Sequence, residues 1–248
     1  MNFKKSQDLL ERANKVLPAQ THTFSKGHKS FVDGAYPIFV EKAKGSHFFD
    51  VDGNEFIDYV AALGPIILGY NHEPIVNSIK NQLEKGSIFS LPHKLEVEAA
   101  ELMCNTIPHT DMAKFTKTGS DSVTAAVRAS RAITKKNNIA YFGGGGVWHD
   151  WFTVITSLNR GIPKFQKNML KLFEYNNIES LKKLLDDDNE IGTVCMEPMI
   201  FEFPSNNFLS QFKKVTDDHD ALLIFDEVQT GFRWSMGGAQ ESFDVSPD

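Results

Sequence analysis

The strongest constraint on the fold is an apolar run that ends in two acids. Leu222–Phe225 is apolar without a break, and Asp226 and Glu227 follow at once. Strands that are apolar on both faces are typical of parallel sheets covered by helices on both sides. Open α/β sheets bind ligands at the carboxyl ends of their strands, so Asp226 is a candidate ligand-binding acid. By itself, the pair is equally compatible with two solvated carboxylates at a strand end.

A second run predicts a neighbouring strand over residues 193–196, followed by Glu197 and Pro198. Between the two runs, apolar residues at helical spacing predict a crossover helix: Phe208, Leu209, Phe212 and Val215. Beyond His72, helical stretches alternate with short apolar runs. This alternation predicts an α/β fold with a mainly parallel sheet.

The first 70 residues have a different pattern. Ser6 is placed to cap an amphipathic helix that Pro18 ends. Three short β-like runs follow, over residues 38–40, 47–50 and 56–59, with a turn at residues 52–54 between the last two. We therefore expect an N-terminal helix and a small antiparallel β unit.

Composition excludes several classes of partner. The formal net charge of −6 and the pI near 5.8 argue against binding to nucleic acid or anionic membranes, which requires clustered cations. No stretch approaches the roughly 20 apolar residues of a membrane span. The two cysteines, Cys104 and Cys195, form no metal-binding or disulfide pattern. We expect a cytoplasmic protein with a small-molecule ligand.

A second candidate binding segment begins at Thr118. Gly119 and Ser120 precede a helical pattern, where Gly permits close approach of the backbone and Ser can cap. Free amides at such a helix start favour a phosphate. The simpler interpretation is a plain N-cap.

Other interpretations of these motifs are weaker. Apolar residues followed by Asp-Glu also describe the magnesium strand of P-loop hydrolases, but the chain has no Gly-Lys-Ser or Gly-Lys-Thr. The segment from Asp50 begins like a calcium loop, yet Glu55 and Ala61 stand where Gly and a bidentate Glu are needed. His149, next to Asp150, has no second metal ligand at regular spacing, so we interpret it as structural.

Five segments together resemble class III aminotransferases, particularly the branch that includes glutamate-1-semialdehyde aminomutase. They are residues 64–72, 118–122, 148–151, 222–233 and 237–240, and the match runs nearly end to end. The resemblance implies a fold type I, pyridoxal-phosphate-dependent enzyme that acts on small-molecule amino donors and acceptors as a homodimer. Residues 1–70 would be an N-terminal arm and part of the small domain, and residues 71–248 an incomplete large domain.

The resemblance also implies roles for individual residues. Asp226 would bind the protonated pyridine nitrogen, Val228 would pack on one ring face, and Gln229 would reach the ring hydroxyl. The amides of Gly119 and Ser120 would hold the phosphate. Glu197 matches a family acid near the cofactor.

Three departures qualify the resemblance. The family's Schiff-base lysine follows the acid that matches Asp226, whereas the last lysines here are Lys213 and Lys214. We therefore expect a fragment that is inactive alone. Residues 143–146 are all Gly where relatives carry an aromatic, at Gly145, that stacks on the ring. We therefore expect either weaker cofactor binding or a space filled by Val147 and Trp148.

The third departure concerns the substrate. Aminomutases grip the substrate carboxylate with an arginine in the early segment, where this chain has Lys26. This favours an aminotransferase that acts on another aldehyde or keto compound, with the aminomutase as the alternative. A non-catalytic subunit that binds the cofactor or a partner chain is a further alternative.

Overall fold

The computed structural model describes residues 1–32, 34–144, 146–205 and 207–248. The chain divides into two compact units, Met1–Leu91 and Pro92–Asp248. No helix in the described ranges combines the length and the apolar character that crossing a bilayer requires.

The first unit contains a helix, a three-stranded antiparallel sheet and a second helix. Their bounds are α1 Lys4–Val16, β1 Val40–Lys44, β2 His47–Asp50, β3 Glu55–Ile57 and α2 Glu73–Leu83. Short 3-10 turns occupy Pro18–Gln20, Phe24–Lys26, His28–Ser30 and Ala61–Leu63. The sheet order is β1-β2-β3.

The predicted antiparallel unit is confirmed, but only β2 has the predicted bounds. The first strand was expected at residues 38–40, and that prediction is wrong because β1 runs from Val40 to Lys44. Most of β1 faces solvent, so its polar sequence lacks the alternation that marks a half-buried strand. Similarly, β3 ends at Ile57 rather than Tyr59.

The start of α1 corrects a second prediction. Ser6 is not the N-cap, because the helix begins at Lys4 and Ser6 is buried in its first turn. The carboxylate of Asp52 instead accepts the backbone N–H groups of Lys5 and Ser6, at 2.7 and 2.9 Å. A residue from the β2–β3 turn thus satisfies the free amides of a helix distant in sequence.

The second unit alternates helices and strands. Its elements are α3 Lys94–Thr106, α4 Gly119–Thr134, β4 Asn138–Phe142, α5 Asp150–Thr153, β5 Leu170–Leu172, α6 Ile178–Asp187, β6 Ile191–Met196, α7 Phe208–Asp218, β7 Leu222–Phe225 and α8 Gly238–Ser242, with a 3-10 segment at Lys164–Met169. All neighbouring strands in the sheet are parallel, in the order β5-β4-β6-β7. The predicted parallel sheet and crossover helix are confirmed.

Each face of this sheet carries its own apolar core. On one face, α6 and α7 pack Leu181 and Phe212 against Val194 and Leu223. On the other face, the cluster contains Val123, Val127, Ile139, Tyr141, Val147, Trp151, Phe152, Leu170 and Cys195. Strand β6 is buried at all six positions, which accounts for its mainly apolar sequence. Its one polar side chain, Thr193, donates its hydroxyl to Ser130 Oγ at 2.7 Å.

Candidate functional site

The carboxyl ends of β4, β6 and β7 bring three residues to one level of the sheet. Phe142 pairs with Met196, and Met196 pairs with Phe225. The next residues along the strands are therefore Gly143, Glu197 and Asp226. Backbone bonds continue the ladder one step, since the Glu197 amide donates to Phe142 O at 3.1 Å and the Asp226 amide donates to Met196 O at 2.8 Å. Two acids separated in sequence thus lie side by side.

Of the two acids that follow β7, Asp226 is the more buried, and one of its carboxylate oxygens can accept a hydrogen bond from a ligand. Its side chain is 8% exposed, and its Oδ1 accepts the Val228 amide at 3.1 Å. Within the described part of the chain, no donor bonds its Oδ2. Burial raises the pKa of Asp226, the Val228 amide opposes this, and the negative charge of Glu227 adds to the rise. A cationic hydrogen-bond donor placed at Oδ2 would stabilise the ionised form.

Gly119 and the loop after β7 are in direct contact. A Cβ on Gly119 would lie 2.6 Å from Val228 Cγ2, so only glycine fits without a shift. Val228 is itself 63% exposed, so its side chain borders open space beside the start of α4. The two candidate segments, at the start of α4 and after β7, are therefore adjacent in the structure.

The cap of α4 differs from the predicted one. Thr118, rather than Ser120, is the N-cap, and its Oγ1 accepts the Asp121 amide at 3.1 Å. Ser120 lies inside the helix, where its hydroxyl donates to Gly146 O at 3.1 Å and accepts the Trp148 amide at 3.2 Å. Its hydroxyl therefore fixes the segment after the glycine run, while the first amides of α4 stay available.

A further set of bonds fixes the same segment to α4. The Thr124 hydroxyl lies 2.7 Å from His149 Nδ1 and accepts Trp151 Nε1–H at 2.8 Å. His149 Nε2 lies 3.4 Å from Asp121 Oδ1. Both ring nitrogens of His149 thus contact groups of α4, which is a structural arrangement.

Glu197 supports the glycine run. It is 6% exposed, and its Oε1 accepts the Gly144 amide at 2.7 Å. Its carboxylate therefore holds the chain where β4 turns away from the sheet. The predicted loss of an aromatic at Gly145 lies outside the described residues.

Glu227 has a role that sequence reasoning missed. Its carboxylate accepts the Thr230 hydroxyl at 2.7 Å and the amides of Ala239 and Gln240 at 2.6 and 3.0 Å. Gly238 has φ +80°, and a Cβ there would overlap the same carboxylate. Glu227 is thus a structural acid that ties the loop carrying Val228 to residues 237–240. The sequence shows both segments but carries no local signal that joins them.

The remaining predicted positions are more open. Gln229 is exposed. Lys26 ends a 3-10 turn in the first unit. The described residues contain no group of three His, Cys, Asp or Glu side chains arranged to hold a metal ion.

Comparison with known protein families identifies the family of this chain. The Aminotransferase class-III family model matches residues 31–248. The chain belongs to the class III aminotransferase family. This family consists of pyridoxal-phosphate-dependent enzymes, and the predicted resemblance is confirmed.

Curated relatives carry two kinds of activity in their names. The chain is 38% identical over 265 residues to a glutamate-1-semialdehyde 2,1-aminomutase from Methanococcoides burtonii. It is 36% identical over 256 residues to a 3-aminobutyryl-CoA aminotransferase from Cloacimonas acidaminovorans. In both cases the match covers 100% of this chain and 61% of the relative. The chain therefore spans less than two thirds of these relatives.

Solved structures show the same fold and the same partial coverage. An omega-transaminase from Sphaerobacter thermophilus superposes with a TM-score of 0.89 at 26% identity, over 98% of this chain and 59% of its own. A transaminase with PLP bound superposes with a TM-score of 0.90 at 27% identity, over 100% of this chain and 60% of its own. The predicted fold class is confirmed: an α/β fold shared with pyridoxal-phosphate-dependent transaminases, with a mainly parallel sheet, an N-terminal helix and a small antiparallel β unit.

Proposed function

We propose that this chain is the cofactor-holding portion of a pyridoxal-phosphate-dependent aminotransferase that moves an amino group to or from an aldehyde or keto substrate. In this proposal residues 71–248 belong to the large domain, and residues 1–70 form the arm and part of the small domain. The observation that carries it is the position of Asp226, buried beside the loop that touches the start of α4.

The donors and acceptors of the site suit this cofactor. Asp226 Oδ2 offers a buried anionic acceptor, which suits a protonated ring nitrogen. The start of α4 offers backbone amides and the positive end of a 16-residue helix, which suits a phosphate. Val228 offers an apolar surface between them. These three features match the two ends and the flat body of pyridoxal phosphate.

Asp226 has the central chemical role in this proposal. A charge-assisted bond from the ring nitrogen to Asp226 Oδ2 favours the pyridinium over the neutral ring. When bound, the pyridinium withdraws electrons from the substrate carbon that loses a proton. Because the carboxylate is buried, water competes weakly for the bond.

Other residues hold and orient the ring. The amides of Gly119 and Ser120 would bind the phosphate, and Val228 would pack on one ring face. Gln229 would reach the ring hydroxyl, and its exposed position leaves the side chain free to do so. Glu197 would act indirectly, through the Gly144 amide that it holds.

Within these 248 residues nothing supplies the amine of the family's Schiff base at the expected position, because no lysine follows Asp226. We therefore propose that this polypeptide alone binds the cofactor noncovalently and does not transfer amino groups, since it also lacks that lysine as a general base. The proposal extends to a cytoplasmic homodimer for the whole protein. A non-catalytic subunit is the alternative. Measurable transfer by the 248-residue chain would contradict both the proposal and this alternative.

The residue at position 26 bears on the choice of substrate. Lys26 offers a point charge where an arginine would offer a bidentate clamp, which supports an aminotransferase over the aminomutase. The 3-aminobutyryl-CoA aminotransferase at 36% identity supports the same choice, although the aminomutase at 38% keeps that alternative open.

Cofactor titration of the purified chain tests the proposal. We expect pyridoxal phosphate to quench tryptophan fluorescence saturably, and Asp226→Asn to weaken binding roughly 10- to 100-fold, which is the contribution of a hydrogen bond to a charged group. Asp187→Asn is the matched control, because Asp187 is exposed at the end of α6. Equal binding by the wild type and Asp226→Asn would contradict the proposal.

A further inference from the structure

Tyr141 carries a buried hydroxyl whose role is not explained by packing. The residue is 1% exposed, and no group among the described residues forms a hydrogen bond with its Oη. Its ring packs edge-on against Trp151 and Phe152, with centroid distances of 6.2 and 4.9 Å. A phenylalanine would make the same ring contacts without burying a polar atom.

The hydroxyl points toward the end of the sheet that carries the candidate site. A Cβ on Gly143 would overlap Tyr141 Oη and would lie 2.8 Å from Glu197 Oε1. The hydroxyl and the carboxylate therefore face each other across the space that the missing side chain of Gly143 leaves. Only glycine at position 143 keeps this space open.

The energetics of the two groups are complementary. A buried hydroxyl without an acceptor is destabilising, so the presence of such a group in a native protein requires a specific explanation, of which a functional role is one. A carboxylate can accept about four hydrogen bonds. The Glu197 carboxylate accepts the Gly144 amide at 2.7 Å through Oε1. Tyr175 gives the contrast within the same chain, because its hydroxyl donates to Pro198 O at 2.7 Å.

We infer that Tyr141 is a positioning residue of the cofactor site, whose hydroxyl donates to the Glu197 carboxylate when residues 143–144 close on a bound cofactor. The inference rests on the proposed function. The Tyr141 hydroxyl gains its acceptor only when the cofactor is bound. Binding therefore removes the destabilisation that the unpaired hydroxyl causes in the free protein, and this increases the affinity for the cofactor. Glu197 then holds the Gly144 amide more firmly at the edge of the site.

The test compares Tyr141→Phe with Tyr175→Phe in the full 248-residue chain. For Tyr141→Phe we expect free protein that is as stable to urea as the wild type or more so, with pyridoxal phosphate bound roughly three- to tenfold more weakly. For Tyr175→Phe we expect lower stability of the free protein and unchanged cofactor affinity. A purely structural tyrosine would show the second pattern at both positions.

A spectroscopic signature separates positioning from packing. Ultraviolet resonance Raman bands of tyrosine should report a new donated hydrogen bond when the wild type is loaded, and Tyr141→Phe should lose that change. Wild-type binding with equal affinity in Tyr141→Phe would overturn the inference and leave the proposed function intact. Absence of wild-type binding would contradict the proposed function itself.

Discussion

At the scale of single residues, the binding role proposed for Asp226 is accompanied by a cost in stability. Its raised pKa means that the fold favours the protonated acid. The stability from this group is present below the pKa of the unfolded chain and is lost as the pH rises through the folded pKa. At neutral pH the ionised side chain therefore destabilises the free protein.

We predict that Asp226→Asn raises the urea midpoint of the free protein at pH 7. The gain should shrink as the pH falls toward about 4, the ordinary range of an aspartate. Urea unfolding at several pH values measures this, with Asp187→Asn as the control. A gain that grows on acidification would contradict the assigned burial of the acid.

Gly119 gives a second test at this scale, because its contact with Val228 defines the site. We predict that Gly119→Ala destabilises the protein by about 1–3 kcal/mol, the usual cost of overpacking. Adding Val228→Ala should recover most of this loss, since it removes the methyl group that the new Cβ meets at 2.6 Å. The unfolding free energies of the wild type, the two single variants and the double variant form a double-mutant cycle. Additive effects would show that the two residues are not in contact.

At the scale of elements, the loop after β7 depends on Glu227 for its position. We predict that Glu227→Gln destabilises the protein by about 1–3 kcal/mol, because buried amides lose an ionised acceptor. It should also weaken cofactor binding, since the loop carries Val228 and Gln229. Glu241→Gln serves as a control for the loss of an ionised acceptor, because the Glu241 carboxylate accepts the Gly237 amide at 2.6 Å. Unchanged cofactor affinity in Glu227→Gln would show that the loop holds its position without this acid.

The same elements show what the sequence could predict. Strands β6 and β7 were predictable from their mainly apolar sequences, which are typical of parallel strands covered on both faces. Strand β1 does not, since its exposed residues are free to be polar. The N-cap of α4 could have been predicted from the sequence, because Thr118 and Asp121 have the spacing of a capping pair. The cap that Asp52 provides for α1 could not have been predicted, because only the tertiary structure brings these residues together.

The candidate site was predictable only where local sequence motifs mark it. Asp226 and Gly119 lie in motifs that a family resemblance identifies. The Tyr141 hydroxyl and the Glu227 bonds arise from strand register and loop packing, which no local pattern encodes.

At the scale of the whole molecule, the chain spans 61% of the curated relatives that it matches. We propose that this part holds the ring and the phosphate of pyridoxal phosphate. The central claim is that Asp226 bonds the ring nitrogen and keeps it protonated.

Nitrogen-15 NMR of the bound cofactor, labelled at the ring nitrogen, tests this claim most directly. We predict a pyridinium chemical shift at neutral pH in the wild-type chain and in Asp187→Asn, and a shift toward neutral pyridine in Asp226→Asn. A neutral ring nitrogen in the wild-type complex, or a pyridinium that persists without the Asp226 carboxylate, would contradict the account.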